Sequence, residues 1–483
     1  EKILDDKSIS MLRLAYDEIL ANQLSLTIIR KSINNEKSNK YKPDSKKIIN
    51  NFKKLLDYKL TNDQDFNTSE VISDLNSSSK MLRLLHGDVG SGKTVVAIMS
   101  ALHVINSGYQ VAILVPTEIL ANQHFDFVND KLIKLKYKTC LLTASTNNKN
   151  LIKTKLANGE CDLIIGTHSL LQDSIKFKNL SYVIIDEQHR FGVGQRLNIR
   201  NKGNKVDMLL LSATPIPRTM LLATLGDIKT STIKKRPYKN KIKTILKSDK
   251  NITEVIKFIK NKIYQSKVFW ICPLIEDSDE KNNNSSVEKR YKVLKRAFKN
   301  VGFLHGKLNI DEKNKVLEDF KVGKIMLLIS TVVIEVGIDI PDANIILIDH
   351  ADRFGLAQIH QLRGRVGRGN KDAICILLYK DPLTEIAKER LKTIKESSNG
   401  FELAERDLMM RGGGEILGKN QYGFENFIFF DISIHKFLID MASKEAEKII
   451  NEDPCLEKKR GKALIELLYL FKKDKAVDLI SAG

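Results

Sequence analysis

Residues 86–94 read His86-Gly87-Asp88-Val89-Gly90-Ser91-Gly92-Lys93-Thr94, between an apolar run at 81–85 and a helix-like run at 95–104. This order is typical of a phosphate-binding loop, because glycines let backbone N–H groups close around phosphate oxygens at a helix N-terminus. We expect Lys93 to reach the β- and γ-phosphates of ATP, and the Thr94 hydroxyl to bind Mg²⁺. The predicted nucleotide-binding residues are Gly87, Asp88, Val89, Gly90, Ser91, Gly92, Lys93 and Thr94.

Two acidic residues, Asp186 and Glu187, directly follow the apolar run 182–185. The carboxyl ends of buried strands are where α/β sheets hold their ligands. We expect Asp186 to bind Mg²⁺, directly or through water, and Glu187 to act as the general base that orients and deprotonates the attacking water. Together with the loop, this pair predicts nucleotide hydrolysis.

A third stretch reads Gln361-Leu362-Arg363-Gly364-Arg365-Val366-Gly367-Arg368. Arg365 and Arg368 are spaced i, i+3, so on a helix they share a face. Arginines supplied across a cleft can stabilise the charge on a transferring γ-phosphate. We therefore predict catalytic roles for both, with ATP as the link between two domains. The alternative is a basic patch for nucleic acid.

Short apolar runs alternate with helical stretches over most of the chain, which favours parallel sheets covered by helices. One set of runs spans 111–116, 138–143, 162–167, 182–187 and 208–213, and a second set spans 268–273, 301–305, 326–331, 344–349 and 373–379. The stretch 233–249 between the sets is basic and polar, and we place the domain boundary there. Residues 9–30 have helical periodicity, and residues after 381 are again helical in pattern.

Composition adds few constraints. The net charge of +20 and pI near 9.4 suit a polyanion partner. Abundant Lys, Asn and Ile are also typical of an AT-rich genome, so charge alone leaves nucleic-acid binding open. No run offers the ~20 apolar residues of a membrane span. The five scattered cysteines support neither a disulfide framework nor a zinc site, which favours a cytoplasmic protein.

The order of these stretches, with Ser212-Ala213-Thr214 between them, resembles a superfamily 2 helicase. The stretches Asp186 to Val193 (DEQHRFGV) and Leu211 to Thr219 (LSATPIPRT) resemble RecG and the motor of the transcription-repair coupling factor. Ser91 in the loop, residues 272–278 and residues 13–18 are similar to RecG in particular. The coupling-factor motor, whose partner is RNA polymerase, remains the alternative. A nucleotide-gated DNA-binding module without turnover is a third hypothesis.

The resemblance implies further site residues. In the family pattern Gln64 reads adenine, Gln361 and Asp339 belong to the nucleotide site, and Arg365 and Arg368 face it. Segments around Pro116 and Gly166 touch the DNA backbone. A translocation motif, a helical hairpin with a following loop, levers against double-stranded DNA; Gly413 departs from it, where the family has Pro. The implied DNA-contacting residues are Thr117, Thr167, His168, Arg390, Arg411 and Gln421.

The predicted architecture is therefore α/β: two tandem RecA-like parallel-sheet domains, an N-terminal linker helix and a C-terminal helical hairpin. We predict linker helices at 1–55, the ATP-binding domain at 56–236, the second domain at 237–395, and the translocation motif with C-terminal helices at 396–483. The resemblance implies a monomeric, ATP- and Mg²⁺-dependent 3′–5′ DNA helicase. Its implied partners are branched DNA, meaning forks and Holliday junctions, and single-stranded-DNA-binding protein. RecG also has an N-terminal wedge domain, and the resemblance here begins after it.

Overall fold

Two parallel β-sheets and a separate group of helices make up the structure. The computed structural model describes residues 8–34, 39, 41, 45–191, 193–212, 228–234, 242–273, 286–305, 308–331, 340, 342–367, 372–416, 427–431 and 434–473. The described strands are β1 Leu82–Gly87, β2 Gln110–Leu114, β3 Thr139–Leu142, β4 Leu163–Gly166, β5 Leu180–Ile185, β6 Asp207–Ser212, β7 Lys229–Ile233, β8 Ile242–Ser248, β9 Lys267–Ile271, β10 Val301–Leu304, β11 Leu327–Ser330, β12 Ala343–Ile348 and β13 Ala373–Tyr379.

The helices of the described residues alternate with these strands. They are α1 Ile9–Asn34, α2 Lys46–Lys54, α3 Asn62–Leu75, α4 Lys93–Ile105, α5 Glu118–Lys134, α6 Lys149–Asn158, α7 Val193–Arg200, α8 Ile252–Lys262, α9 Ser286–Lys295, α10 Ile310–Lys321, α11 Leu356–Arg363, α12 Glu385–Glu396, α13 Gly400–Ile416, α14 Lys436–Glu452 and α15 Lys459–Leu470. None of them combines the length and the apolar character that a bilayer crossing requires.

The first sheet has the order β3-β4-β2-β5-β6-β1-β7, and its recorded pairings are parallel. Side chains of a strand alternate between its two faces. Accordingly, Val111 and Ile113 of β2 join one apolar core, and Ala112 and Leu114 join another on the opposite face. The near-continuous apolar runs thus reflect burial on both faces.

The second sheet has the order β10-β11-β9-β12-β13-β8 and repeats this plan. Phe269 and Ile271 of β9 face one core, and Val268 and Trp270 face the other. The predicted fold class, two parallel-sheet domains in tandem, is confirmed. The exact boundaries at 55/56, 236/237 and 395/396 remain predictions.

One element differs from the sequence-based expectation. Residues 242–248 form strand β8, although the stretch 233–249 reads as a basic, polar boundary. β8 pairs in parallel with β13 at the edge of the second sheet, and Ile242 and Leu246 pack on its core. An edge strand tolerates the intervening lysines Lys243 and Lys247, because lysines discourage pairing with other chains. Composition alone therefore misassigned this strand.

A third apolar core lies outside both sheets. It joins α1, whose predicted helix is confirmed, to α14 and α15 near the other end of the chain. Ala15, Ile19 and Leu24 of α1 are fully buried there. This group of helices, called here the helical unit, consists of α1, residues 427–431, α14 and α15.

A buried carboxylate lies at the start of β6 in the first domain. The side chain of Asp207 accepts hydrogen bonds from the backbone N–H of Met81 and from the Tyr41 hydroxyl, both at 2.6 Å. Burial raises the pKa of Asp207 to about 6, although these hydrogen bonds oppose that change. A carboxyl group whose pKa is higher in the folded state binds more protons when folded. Its contribution to stability therefore decreases as the pH rises from its ordinary pKa to its folded-state pKa.

We therefore expect Asp207→Asn to become more stable relative to the parent as the pH rises from about 4 to about 7, because the amide cannot ionise in the core. Urea unfolding at several pH values measures this difference. Asp173→Asn, at an exposed position of the same domain, is the control and should show no such trend. A difference between Asp207→Asn and the parent that does not vary with pH would contradict the assignment.

Candidate functional site

The predicted phosphate-binding loop connects β1 to α4. Gly90 and Gly92 have φ values of +77° and +86°, the left-handed region that glycine adopts without strain. A Cβ on Gly92 would collide with the Gln64 side chain. Lys93 is buried, and its Nζ donates to the carbonyl oxygens of Gly87 at 2.6 Å and Asp88 at 3.0 Å. Thr94 follows in the first turn of α4, so the loop backbone and helix N-terminus converge as an anion site requires.

Gln64 lies beside this loop. Its backbone and side chain form a capping box with Thr61 at the start of α3, which fixes the first turn of that helix. Its Nε2 donates to the Ser91 carbonyl at 2.8 Å. The structure therefore places the predicted adenine-reading residue in contact with the phosphate-binding loop.

Asp186 and Glu187 directly follow β5, at the same edge of the sheet as the loop after β1. The Asp186 carboxylate accepts the Glu187 backbone N–H at 2.9 Å and lies 3.1 Å from His124 Nε2. Burial acts to raise the pKa of Asp186, but the His124 hydrogen bond and the charges of His124 and Lys93 bring it below its usual value. Asp186 is thereby kept ionised.

Glu187 shows the opposite shift. Burial, and then the charge of Asp186, raise the pKa of Glu187 to about 7, although Lys93, Arg365 and Arg190 oppose that change. Neighbouring carboxyl groups with divergent pKa values commonly take different chemical roles. Glu187 also has a φ of 49°, a conformation that non-glycine residues rarely adopt and that recurs at functional sites.

The second domain contributes to this site through α11 and the residues after it. His360 Nε2 lies 2.6 Å from Asp88 Oδ1, which joins α11 to the phosphate-binding loop. A Cβ on Gly364 would lie 2.9 Å from Val89 Cβ, so the loop and the turn after α11 are in close contact. Arg365 is buried, and its charge acts on Glu187. Gln361, also buried, lies on the same helix.

Further contacts extend from α11 to the helices behind it. Arg363 Nη2 lies 2.9 Å from His360 Nδ1, and Arg363 Nη1 donates to the carbonyl oxygens of Ile394 and Ser397 at 2.7 and 2.9 Å. In addition, the ring of Phe401 in α13 lies 4.6 Å from the ring of His86. Polar and aromatic contacts therefore connect the phosphate-binding loop to the α12–α13 pair.

The predicted DNA-contacting residues have mixed surroundings. Thr117 caps α5 by accepting the Leu120 N–H, Thr167 precedes a short 3₁₀ helix, and His168 is exposed. Both threonines follow strands of the first sheet at the edge that holds Asp186. Arg390 in α12 is half-buried and donates to the Phe354 carbonyl at 3.0 Å. The DNA-contacting roles of Thr117, Thr167, His168 and Arg390 remain predictions.

Several predicted positions lie outside the described residues. They are Asp339, Arg368, Gln421 and the segment 213–219. Arg411 lies in α13, but its side chain is likewise outside the described part. Their roles remain predictions.

Two histidines of the site, His124 and His360, were not among the predicted site residues. His124 lies seven positions after the helix cap Thr117, so it falls two turns along the same face of α5, toward the sheet edge. That spacing is a signal that could have identified it. His360 directly precedes Gln361, but nothing local indicates a partner 272 residues away.

Three families match successive parts of the chain. They are DEAD/DEAH box helicase over residues 67–222, the helicase conserved C-terminal domain over residues 250–370, and ATP-dependent DNA helicase RecG, domain 3, C-terminal over residues 397–481.

Curated relatives named ATP-dependent DNA helicase RecG are similar over most of the chain. The Streptococcus pneumoniae protein is 39% identical, with 94% of this chain and 69% of that protein covered. The Bacillus subtilis protein is 41% identical, covering 91% of this chain and 65% of the relative. The Thermotoga maritima protein is 43% identical, and the match covers 90% of this chain and 56% of that protein. The chain thus spans between 56% and 69% of the length of these relatives.

Solved structures show the same relationship. A structure of RecG bound to a three-way DNA junction matches with a TM-score of 0.74 and 39% identity, covering 90% of this chain and 57% of that one. Mss116p bound to single-stranded RNA and AMP-PNP shares the fold, with a TM-score of 0.58 and 19% identity over 75% of this chain and 79% of that one. On this similarity, which extends from the phosphate-binding loop to the C-terminal helices, the chain belongs to the RecG family of ATP-dependent DNA helicases.

Proposed function

We propose that this chain is an ATP-driven motor that translocates on double-stranded DNA and acts on branched DNA, such as forks and Holliday junctions. The observation that carries the proposal is one site built by both sheet domains. Lys93 and Glu187 come from the first domain, Arg365 comes from the second, and the Asp88–His360 contact joins the two. A nucleotide held there would contact both domains, so its cleavage can change their relative position.

The nucleotide site supports phosphoryl transfer to water. Lys93 is placed to neutralise the β- and γ-phosphates once its contacts with the loop carbonyls are exchanged for phosphate oxygens. Thr94 and the ionised Asp186 offer the hard oxygen ligands that Mg²⁺ prefers, and the metal would neutralise charge on the phosphates. Gln64, in contact with the loop, is our proposed residue for recognising the adenine base.

Glu187 is our proposed general base. With a pKa near 7, a substantial part of the Glu187 population is ionised at neutral pH and can accept a proton from water. The same pKa lets the carboxyl group hold that proton once it has been transferred. Arg365 would stabilise the negative charge that develops on the transferring phosphoryl group, with Arg368 as the proposed second arginine. Because Arg365 comes from the second domain, hydrolysis would require both domains to be in contact.

Contacts behind α11 support the coupling of hydrolysis to movement. Asp88, His360 and Arg363 form a polar connection from the phosphate-binding loop to the C-terminal end of α12. α12 and α13 carry Arg390 and Arg411, two of the predicted translocation residues. A change at the nucleotide could therefore reach the DNA-contacting residues through side chains already in contact.

Branched DNA as the substrate rests on the relatives and on the structure of RecG bound to a three-way junction. The C-terminal RecG match at 397–481 favours this assignment over the coupling-factor motor. We also propose Thr117, Thr167, His168 and Arg390 as duplex-facing residues. The 3′–5′ polarity, a monomeric state, a cytoplasmic location and an interaction with single-stranded-DNA-binding protein complete the proposal, and these rest on the family resemblance.

Displacement of a third strand from triplex DNA tests the proposal directly, because it reports movement along a duplex without requiring strand separation. We expect displacement that requires ATP and Mg²⁺, and ATP turnover that increases with branched DNA. ATP turnover without displacement would contradict a duplex motor. DNA binding without any turnover would instead favour a nucleotide-gated binding module.

Arg411→Ala is expected to reduce third-strand displacement by about 10- to 100-fold, the usual effect of losing an arginine–nucleic-acid contact. ATP hydrolysis should be largely retained, because the residue would transmit force without touching ATP. Arg406→Ala is the matched control, since Arg406 lies on the same helix and pairs with Glu402 at an exposed site. Equal losses of hydrolysis and displacement in Arg411→Ala would exclude a purely force-transmitting role.

A further inference from the structure

The helical unit holds a buried acid that neither sheet domain uses. Glu18 lies in the middle of α1 and is 4% exposed. Its two carboxylate oxygens accept the backbone N–H groups of three consecutive residues, Ile428 at 2.6 Å, Phe429 at 2.7 Å and Phe430 at 2.8 Å. Hydrogen bonds to a charged acceptor are stronger than those between neutral groups, so this is a firm attachment between segments 410 residues apart.

The attachment is made to the backbone of residues 428–430. The Ile428 side chain is 73% exposed, whereas Phe430 is buried in the third core. Phe427 packs against Phe430 with ring centroids 5.1 Å apart. Glu18 therefore holds the backbone of this short segment against α1, and the Phe430 side chain packs into the third core.

Lys473 supplies the opposite charge. Burial lowers the pKa of Lys473 to about 8, and the Glu18 carboxylate opposes that change. Most of the Lys473 population is therefore charged at neutral pH. The anchor thus consists of one acid of α1 and three backbone donors, and the Glu18 carboxylate also acts electrostatically on Lys473 beyond α15.

The position of this anchor in the chain gives it a consequence for the motor. Residues 427–430 come soon after Arg411 and Gln421, the predicted duplex-contacting positions. On the near side, α13 packs against α11 and α12, which are tied to the phosphate-binding loop. On the far side, Glu18 ties the chain to α1. The two sides of this connection thus belong to different apolar cores, since Leu403 of α13 lies in the core of the second sheet and Phe430 lies in the third core.

We propose that Glu18 is a positioning residue that holds residues 428–430, which follow the predicted translocation residues Arg411 and Gln421, on the helical unit. Movement of α13 then changes the position of α13 relative to residues 428–430, because these residues stay on α1. This inference rests on the proposed function, because it assumes that the translocation motif pushes on duplex DNA. It assigns a mechanical role to α1, as the fixed point of the lever.

Two variants remove the anchor from opposite sides. Glu18→Gln keeps the side-chain shape but replaces one acceptor oxygen with a donor, which leaves buried N–H groups without a charged partner. Ile428→Pro removes one donor and leaves Glu18 intact, and the exposed Ile428→Ala is its matched control. Leu24→Ala is a stability control, because it opens a cavity in the same core while all three hydrogen bonds remain.

The measured quantity is third-strand displacement per ATP hydrolysed. Glu18→Gln and Ile428→Pro should each lower this ratio by about tenfold, while ATP turnover with DNA stays within about twofold of the parent. Ile428→Ala and Leu24→Ala should keep the parental ratio. Hydrogen exchange at the amides of residues 428–430 should be faster in Glu18→Gln, and unchanged in Ile428→Ala.

The alternative outcomes separate the two hypotheses. If Leu24→Ala lowers the ratio as much as Glu18→Gln does, Glu18 merely stabilises the helical unit and the inference is wrong. It is equally wrong if Glu18→Gln and Ile428→Pro keep the parental ratio. A parent protein that hydrolyses ATP but displaces no third strand would overturn the proposed function itself, and the role of Glu18 with it.

Discussion

Glu187→Gln is expected to lower kcat for DNA-stimulated ATP hydrolysis by about 10²- to 10⁴-fold, the usual contribution of a positioned general base. The amide has nearly the shape of the carboxylate but cannot accept the proton of the attacking water. Because Glu187 and Asp186 repel each other, the substitution also relieves an unfavourable charge pair in the core. ATP binding should therefore persist or become slightly tighter.

Single-turnover hydrolysis and binding of a fluorescent ATP analogue separate these two effects. Glu160→Gln, an exposed glutamate of the same domain, is the control and should match the parent. Normal turnover in Glu187→Gln would show that another group accepts the proton. A loss of nucleotide binding would instead assign Glu187 a role in holding Mg²⁺ or the loop.

Arg365→Ala is the second substitution with a large expected effect. Arginines that reach a γ-phosphate from another domain contribute about 10³–10⁵ in rate, so a loss of this order in kcat is expected. The side chain is buried between the domains, and its charge acts on Glu187 across them. Arg365→Lys should recover only part of the loss, because an ammonium group lacks the planar fork of a guanidinium.

The matched control for Arg365 is Arg353→Ala, at an exposed position of the same domain. Single-turnover hydrolysis with saturating ATP measures the chemical step, and small-angle scattering with a nonhydrolysable analogue reports domain closure. A kcat reduced less than tenfold would exclude a role for Arg365 in stabilising the charge on the transferring γ-phosphate. Normal closure with slow hydrolysis would place the role of Arg365 in charge stabilisation and not in holding the domains together.

Local patterns predicted most of this architecture, for a physical reason. Strands buried on both faces must be apolar at nearly every position, so β2, β5 and β12 stand out in the sequence. The phosphate-binding loop is equally conspicuous, because its backbone requires glycine where φ is positive, as at Gly90 and Gly92. β8 escaped prediction because an edge strand carries lysines that suggest a linker.

The unpredicted part of the site depends on how the domains are placed. The Asp88–His360 contact and the tie from Arg363 to the end of α12 join residues remote in sequence. No local periodicity encodes such contacts, since they follow from the packing of finished domains. The same is true of Glu18, which reads as one more polar position on an amphipathic helix until residues 428–430 are seen against it.

The third core also affects how the chain is made. α1 leaves the ribosome well before its partners, because Ile19 and Leu24 are covered by helices synthesised some 400 residues later. At roughly 5–20 residues per second, the apolar face of α1 waits on the order of 20–80 seconds for its partners. During that interval the nascent helix is a ready substrate for a chaperone or for a wrong partner. The helical unit is thus completed only after both sheet domains have been synthesised, even though each sheet domain can form as soon as it emerges.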